Sequence, residues 1–145
     1  MNRQIYVNLP VADLARSRTF FEALGFAFDE TFSNADGICM VVSPGIYVML
    51  LTHEKFGTFT PNRIVDAKSH TEALLCLSCS DRHEVDALVA KAQEAGGSTF
   101  NAPQDHGFMY GHAFQDLDGH IWELVHMDAD ASQHVARGGE VGSGD

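Results

Sequence analysis

Two stretches of this sequence follow the same plan. Asp13 to Phe26 reads DLARSRTFFEALGF, and Asp81 to Gly97 reads DRHEVDALVAKAQEAGG. Each begins with an aspartate, which commonly caps the first turn of a helix, and each has glycine at its end, where helices often stop. The two aspartates lie 68 residues apart, and a short apolar run that indicates a strand precedes each one. The chain is therefore expected to contain one structural unit twice, with a cleft where the two halves meet.

The first half carries apolar runs that predict strands on both sides of its helix. Phe20 and Leu24 lie four residues apart and begin to define the apolar stripe of that helix. Pro10 is expected to stop the first strand, because proline has no backbone N–H to donate. A hairpin is predicted around Ser43-Pro44-Gly45. The predicted strands are Ile5 to Leu9, Phe26 to Phe32, Gly37 to Val42 and Ile46 to Leu51.

The second half repeats this order. Apolar residues from Val85 to Ala92 recur at i, i+3, i+4 and i+7, which is the strongest helical period in the chain. Glu84, three residues after Asp81, completes the pattern of a capping box. The predicted strands are Leu74 to Cys79, Ser98 to Ala102, Tyr110 to Gln115 and Ile121 to His126. Each half therefore reads strand, helix and three further strands.

The length and composition predict one domain over residues 1–127. A chain of 145 residues with 45% hydrophobic content is sufficient to form one core. The first module is expected over about 4–55, the connection over 56–72, with a short helix of its own as one option, and the second module over 73–127. Residues 128–145 are small and polar with four glycines, so a mobile tail or a strap on a partner subunit is expected there.

Charge and targeting signals restrict the partners and the compartment. The net charge of −11 argues against nucleic acid and against an anionic membrane, because both require clustered lysine and arginine. Met1 to Gln4 leads directly into a predicted strand, with no signal-peptide core and no apolar run long enough to span a bilayer. Three cysteines, an odd number, fit reduced thiols. A cytoplasmic location is predicted.

Cys76 and Cys79 match the CxxC spacing of redox and zinc sites. They lie in an apolar run that predicts a strand, and residues three apart on a strand point to opposite faces. A disulfide or a shared metal between these two cysteines is therefore not expected.

Three motifs resemble one known superfamily. They are Leu9 to Leu14 (LPVADL), Phe20 to Phe26 (FFEALGF) and Asp116 to Leu124 (DLDGHIWEL). On these stretches the chain resembles the vicinal oxygen chelate superfamily, which includes glyoxalase I, extradiol dioxygenases and the bleomycin and fosfomycin resistance proteins. The resemblance covers about residues 4–127. It implies an α+β fold in which two tandem βαβββ modules form a curved mixed sheet around a cleft. Exposed sheet edges in such proteins predict a two-fold symmetric homodimer.

The resemblance also implies where a metal would bind. Metal-dependent relatives place ligands on the first and last strands of each module, and Glu123 matches the last of these positions. The other three positions carry Tyr6 (with Asn8 next on the same face), Met49 or Leu50, and Leu75. Because a divalent ion needs several N or O ligands at one point, no metal cofactor is expected. In the alternative, Glu123 and one or two of His106, His112 and His53 hold a divalent ion.

Aromatic residues near the predicted loops are the other candidates for a site. Phe108 and Tyr110 are flanked by glycines, and Phe56 and Phe59 lie in the polar connection. Such an arrangement suits an apolar rim around a small planar ligand, although core packing is the alternative and is favoured for Trp122. The predicted ligand contacts are Tyr6, Asn8, Phe56, Phe108, Tyr110, His112 and Trp122, with Glu123 as the candidate catalytic group.

Two functions remain open on the sequence. The first is a metal-independent protein that binds a small apolar or aromatic molecule, whether it sequesters this ligand or converts it. The second is a divalent-metal-dependent lyase or dioxygenase, in which the metal acts as a Lewis acid and Glu123 as a base. The missing histidines on the first strands favour the first function. No Ser-His-Asp order or Gly-rich nucleotide loop indicates other chemistry.

Overall fold

The computed structural model describes residues 2–128. The chain divides between His70 and Thr71 into two compact units, and Leu117–Gly119 fold with the first unit. The predicted polar tail lies outside the described residues, apart from Asp128. None of the helices within residues 2–128 is long and apolar enough to cross a membrane.

The first unit has a four-stranded mixed sheet in the order β1-β4-β3-β2. Strand β1 runs parallel to β4, and the other two pairs are antiparallel. A short 3₁₀ helix, Glu30–Phe32, follows β2. The elements are β1 (Ile5–Val11), α1 (Leu14–Ala23), β2 (Ala27–Asp29), β3 (Gly37–Ser43), β4 (Ile46–Thr52) and α2 (His53–Gly57).

The second unit repeats this topology with the sheet order β5-β8-β7-β6. Strand β5 is parallel to β8, and β8, β7 and β6 pair antiparallel. Its elements are β5 (Leu74–Ser78), α3 (Arg82–Glu94), β6 (Gln104–Asp105), β7 (Met109–Gln115) and β8 (Ile121–Met127). The predicted α+β class and the tandem βαβββ modules are confirmed.

The helix boundaries follow the predicted capping residues. The side chain of Asp13 accepts a hydrogen bond from the first turn of α1, and Asp81 accepts one of 2.7 Å from the backbone N of Glu84. Glycines with positive φ, Gly25 and Gly96, follow the last turns of α1 and α3. Only glycine adopts this conformation at little cost, so both helices end where the sequence predicted.

Each helix buries the apolar stripe that its sequence predicted. In the first unit Phe20 and Phe21 of α1 are almost fully buried. In the second unit Val85 and Val89 of α3 are buried in the same way. Burial of such side chains contributes about 1.5–3 kcal/mol each, so these stripes hold each helix on its own sheet.

Three predicted strands differ from the structure by more than one residue. Strand β1 continues through Pro10 to Val11, because β1 lies at the sheet edge, where a missing N–H is tolerated. Strand β2 ends at Asp29, whose side chain accepts a hydrogen bond from the backbone N of Thr31 and turns the chain into the 3₁₀ helix. The segment predicted as a strand at Ser98 to Ala102 forms only one bridge, Ser98 to Gln115.

A side-chain hydrogen bond to β7 takes the place of the missing strand. The hydroxyl of Thr99 donates a 2.7 Å hydrogen bond to the carbonyl of Ala113 on β7. This carbonyl would otherwise be available to a backbone N–H of a neighbouring strand. Side-chain hydrogen bonds of this kind compete with sheet pairing. The third strand of the second module is instead β6, only two residues long.

The turn between β7 and β8 is fixed by its two aspartates. Asp116 is 6% exposed and accepts hydrogen bonds of 3.0 Å from the indole Nε1 of Trp122 and from the backbone N of His120. Asp118 belongs to the first unit, where its carboxylate accepts a hydrogen bond of 2.8 Å from the backbone N of Ala12, just before α1. Both carboxylates of the DLDG motif therefore have structural partners.

Gly119 is required by the same turn. Its φ is +91°, and a Cβ atom at this position would lie 2.7 Å from the backbone Cα of Lys68. A side chain would therefore have both backbone strain and a collision with main-chain atoms.

Candidate functional site

The sheet of the second unit has one face covered by α3 and one open face. The hydroxyl of Tyr110 reaches Asp86 of α3, which places Tyr110 on the covered face of β7. Because side chains alternate along a strand, Met109, Gly111 and Ala113 lie on the open face. The strand register places Cys76, Glu123 and Ala113 side by side in one row across this face.

A pocket of about 270 Å³ lies over the open face. Half of its lining is polar, with Cys76, Asn101, Gln104, His106, His112 and Glu123. The other half is apolar or small, with Met109, Gly111, Ala113, Leu124, Val125 and Met127. A concave pocket that combines apolar surface with polar groups facing one space is a common form of small-molecule site.

Glu123 lies in the middle of β8 and is half-buried in this pocket. Its carboxylate forms no hydrogen bond or ion pair with any of the residues from 2 to 128. In the sheet, Glu123 pairs with Ala113 of β7 on one side and with Cys76 of β5 on the other, and the side chain of Ala113 is small. The carboxylate oxygens are therefore available to a group that enters the pocket.

His112 lines the pocket, but its ring is held at the sheet edge. Its Nε2 lies 2.8 Å from the carbonyl O of Asn101 and 3.2 Å from the hydroxyl of Thr99. A carbonyl only accepts hydrogen bonds, so Nε2 carries the proton. Because that hydroxyl already donates to the carbonyl of Ala113, the imidazole is fixed in one orientation.

One side of the pocket is formed by a turn that α3 holds in place. The guanidinium of Arg82 donates to the Asp105 carboxylate at 2.7 Å and to the carbonyl of Gly107 at 2.9 Å, and it lies 5.1 Å from the ring centroid of Tyr110. The hydrogen bond from Arg82 lowers the pKa of Asp105 below its usual value. This turn carries His106, so Arg82 positions a pocket residue without lining the pocket.

The predicted site residues of the second module separate into two groups. Glu123, His106 and His112 all line the pocket. Trp122 does not, because its ring is 1% exposed and packs against Phe114 in the core. The prediction of Trp122 as a ligand contact was therefore wrong, and the core alternative is correct.

The two predicted rim residues at the start of β7, Phe108 and Tyr110, do not line this pocket either. Tyr110 lies on the covered face, where its hydroxyl donates a 2.6 Å hydrogen bond to Asp86, and this bond raises the pKa of Tyr110. Phe108 is half-buried just before the strand and is not part of the pocket lining. The glycines beside these rings serve the turn and the strand.

The predicted contacts from the first module lie in the first unit. Tyr6 is 54% exposed and stacks on Tyr47 with ring centroids 5.0 Å apart. Asn8 is exposed and, two residues further along β1, lies on the same face as Tyr6. Phe56 is half-buried on α2, while Phe59 is exposed beyond that helix. His53, the further alternative ligand, is exposed at the start of α2.

The strand register identifies which residues of the two modules correspond. Cys76 pairs with Glu123 between β5 and β8, and Asn8 pairs with Met49 between β1 and β4. Cys76 follows Asn8 by 68 residues, the same spacing as the two capping aspartates. The first-strand residues that pair with Met49 and Glu123 are therefore Asn8 and Cys76, whereas Tyr6 and Leu75 do not occupy corresponding positions in the two modules.

Cys76 is one of the pocket residues that the sequence analysis did not assign to the site. Leu75 points to the covered face and Cys76 to the open one, and a one-residue error on a strand exchanges the two faces. The 68-residue spacing would have selected Cys76, because it maps Asn8 onto this position.

The corresponding positions carry a donor set that differs from the one the resemblance implies for a metal site. Their donors are an amide, a thioether, a thiol and one carboxylate, at Asn8, Met49, Cys76 and Glu123. Divalent ions in such sites are held by imidazole and carboxylate ligands, and an amide and a thioether are poor substitutes. Within the described part of the chain, no three His, Cys, Asp or Glu side chains are arranged to hold an ion.

The three cysteines form no disulfide within residues 2–128 and lie in different surroundings. Cys39 is buried, Cys79 is half-buried and Cys76 is exposed. Burial, followed by the nearby Glu84 carboxylate, raises the pKa of Cys79 to about 12. Cys79 is therefore protonated at neutral pH and a poor nucleophile.

Comparisons with known proteins agree with this fold. A hypothetical protein from S. aureus is 29% identical, with a TM-score of 0.73 over 86% of this chain and 94% of its own. A glyoxalase/bleomycin resistance protein/dioxygenase family enzyme from Burkholderia phytofirmans is 19% identical, with a TM-score of 0.72 over 87% of this chain and 99% of its own. The fosfomycin resistance protein of Listeria monocytogenes is 16% identical, with a TM-score of 0.64 over 90% of this chain and 97% of its own. At these identities the two proteins show a shared fold alone.

Among curated proteins, none matches this sequence. The family sequence model of the glyoxalase/bleomycin resistance protein/dioxygenase superfamily matches residues 3–124, which span both modules and the DLDG turn. This protein therefore belongs to the glyoxalase/bleomycin resistance protein/dioxygenase superfamily.

Proposed function

We propose that this protein binds a small, largely apolar or aromatic molecule in the pocket on the open face of the second sheet. The observation that supports this proposal most directly is the row of Cys76, Glu123 and Ala113, in which one unpaired carboxylate lies among small and apolar groups. The polar groups of the lining orient a ligand, while the apolar surface contributes binding energy.

We propose further that binding needs no metal. The position that corresponds to Glu123 in the first module is Met49, and a thioether has no charge with which to hold a divalent ion. His112, an alternative ligand, uses its Nε2 to hold the Asn101 carbonyl. A lyase or dioxygenase that depends on metal would need these groups to rearrange, so the metal-free function is the better supported of the two.

Filling the pocket tests the binding proposal. Cys76→Phe places a ring on the open face at an exposed edge strand, where the core is not disturbed. Leu74→Phe is the matched control, because Leu74 is exposed two residues away on the same face and does not line the pocket. In a thermal-shift screen of aromatic compounds, a ligand of the pocket should protect the wild type and Leu74→Phe but not Cys76→Phe. Equal protection of all three proteins would contradict the proposal.

Elemental analysis tests the metal-free proposal. Protein purified without chelator and without a nickel resin should contain no stoichiometric divalent ion. About one Fe, Mn, Ni or Zn per chain, lost in Glu123→Ala, would instead establish a metal centre at this carboxylate.

Assembly and location complete the proposal. We propose a homodimer, since the edge strands β1 and β5 each have a neighbour on only one side within their own sheets. We propose a reducing compartment such as the cytoplasm, since Cys39, Cys76 and Cys79 form no disulfide within residues 2–128.

A further inference from the structure

The charged side chain of the pocket lining is a carboxylate. The lining contains the Glu123 carboxylate and neither lysine nor arginine. The nearby guanidinium of Arg82 is already paired with Asp105 and holds the turn from the side of α3. Only His106 and His112 of the lining are able to carry a positive charge, and the Nε2 of His112 already donates to the Asn101 carbonyl.

The carboxylate of Glu123 is half-buried and unpaired within residues 2–128. A carboxylate accepts hydrogen bonds only, and a charged N–H donor forms stronger and shorter bonds with it than a neutral donor does. An anion at the same place would meet a like charge in a partly desolvated pocket, where charge repulsion is stronger than in water.

The surroundings of the carboxylate suit a flat apolar body. Ala113 is small, and Met109, Val125 and Met127 complete this part of the lining. Methionine side chains adapt to irregular shapes and make favourable contacts with the edges of aromatic rings. The remaining polar side chains, Asn101 and Gln104, offer amide oxygens that accept further N–H groups.

We infer that the ligand is a small aromatic or apolar molecule with a cationic nitrogen group, such as an amidinium, a guanidinium or a protonated amine, which binds to the Glu123 carboxylate. This inference rests on the proposed function and specifies the ligand class for the same pocket. Glu123 is the residue that selects cations over neutral molecules and anions, and the apolar lining binds the body of the molecule.

Three probes of the same shape test the inference: benzamidinium, benzamide and benzoate differ mainly in charge. Each is titrated at pH 8, where imidazole groups are largely neutral, and binding is followed by NMR shifts of the Gly111 and Ala113 amides. Benzamidinium should bind about tenfold more tightly than benzamide, as expected for a charged hydrogen bond, and benzoate should not bind detectably.

Two variants complete the test. Glu123→Gln keeps the shape of the side chain and removes its charge, so it should weaken benzamidinium about tenfold and leave benzamide within about threefold. Glu94→Gln, at an exposed position on α3 outside the pocket, should change neither. Benzamide or benzoate binding as tightly as benzamidinium, or unchanged benzamidinium affinity in Glu123→Gln, would overturn the inference and leave the proposed function standing. If no aromatic compound moves the pocket amides, the proposed function fails together with it.

Discussion

The indole Nε1 of Trp122 donates a 3.0 Å hydrogen bond to the Asp116 carboxylate, and both side chains are buried. Trp122 lies on β8 and Asp116 at the end of β7, so this bond closes the turn that joins the two strands. The residue next to Trp122 is Glu123, which points to the opposite face. The core contact of one residue therefore fixes the direction of the pocket carboxylate beside it.

Truncation of Trp122 should be far more costly than truncation of Tyr110. Trp122→Ala removes a buried ring and leaves Asp116 without its indole partner, so we expect a loss of about 3–5 kcal/mol in the free energy of unfolding. Tyr110→Ala removes a partly exposed ring on the covered face and should lower stability by about 1 kcal/mol. Urea denaturation of both variants measures the difference. Equal losses would show that Tyr110 belongs to the core.

Substitution of Gly119 should be more harmful than the same change at Gly45. The two glycines have nearly equal φ values of +91° and +88°, so alanine is strained by about 1–2 kcal/mol at both. Only at Gly119 would the new Cβ collide with the backbone of Lys68, while Gly45 has open space. We expect Gly119→Ala to be less stable than Gly45→Ala by about 2 kcal/mol in chemical denaturation. Equal stability would disprove the close approach.

The Arg82–Asp105 pair should give a pH-dependent contribution to stability. Arg82 lowers the pKa of Asp105 in the folded state, so the contribution is present at neutral pH and is lost as the pH falls through that lowered pKa. Arg82→Ala should therefore destabilise the protein at pH 7, and part of this loss should disappear in strongly acidic buffer. Asp105→Asn is the control, because it should remove the pH-dependent part. A penalty for Arg82→Ala that is constant with pH would contradict the assignment.

The three thiols should react in a fixed order. Cys76 is exposed, whereas Cys79 has a pKa of about 12 and burial raises the pKa of Cys39. Since the thiolate is the reactive form, iodoacetamide at pH 8 should modify Cys76 first. Peptide mass spectrometry of a time course checks the order. Modification of Cys79 at the same rate as Cys76 would contradict the raised pKa of the half-buried Cys79.

The sequence predicted the fold well because local signals agreed with one another. Asp13 and Asp81 as capping residues, glycines after each helix and the 68-residue spacing all indicated the same repeated unit. The errors arose where partners distant in sequence decide the outcome. Thr99 bonds to a carbonyl fourteen residues away, and no propensity of the segment from 98 to 102 predicts that bond.

The candidate site was less predictable than the fold. Glu123 was identified from the motif, and its direction followed from strand alternation. Cys76 was missed because only the pairing with β8 shows which of two neighbouring residues faces the pocket. Tyr110 and Trp122 were assigned to the ligand because an aromatic residue beside a glycine or a loop has the same sequence pattern whether it is core or rim.

Subunit pairing is a further testable expectation. Edge strands that remain open favour association of like chains, and a two-fold dimer closes the assembly. Light scattering at tens of micromolar should give about twice the chain mass of 15.8 kDa. A single species at the mass of one chain would disprove the dimer.

The placement of Asp118 has a consequence for synthesis on the ribosome. The first unit takes its residues from the beginning of the chain, but the carboxylate that binds the backbone N of Ala12 arrives 106 residues later. While the chain is being made, α1 must therefore wait for this contact until most of the protein has left the exit tunnel. A nascent chain that stalls before Gly119 would hold an unfinished first unit. This unit would stay exposed to proteases and chaperones for longer than a unit built only from the first 70 residues.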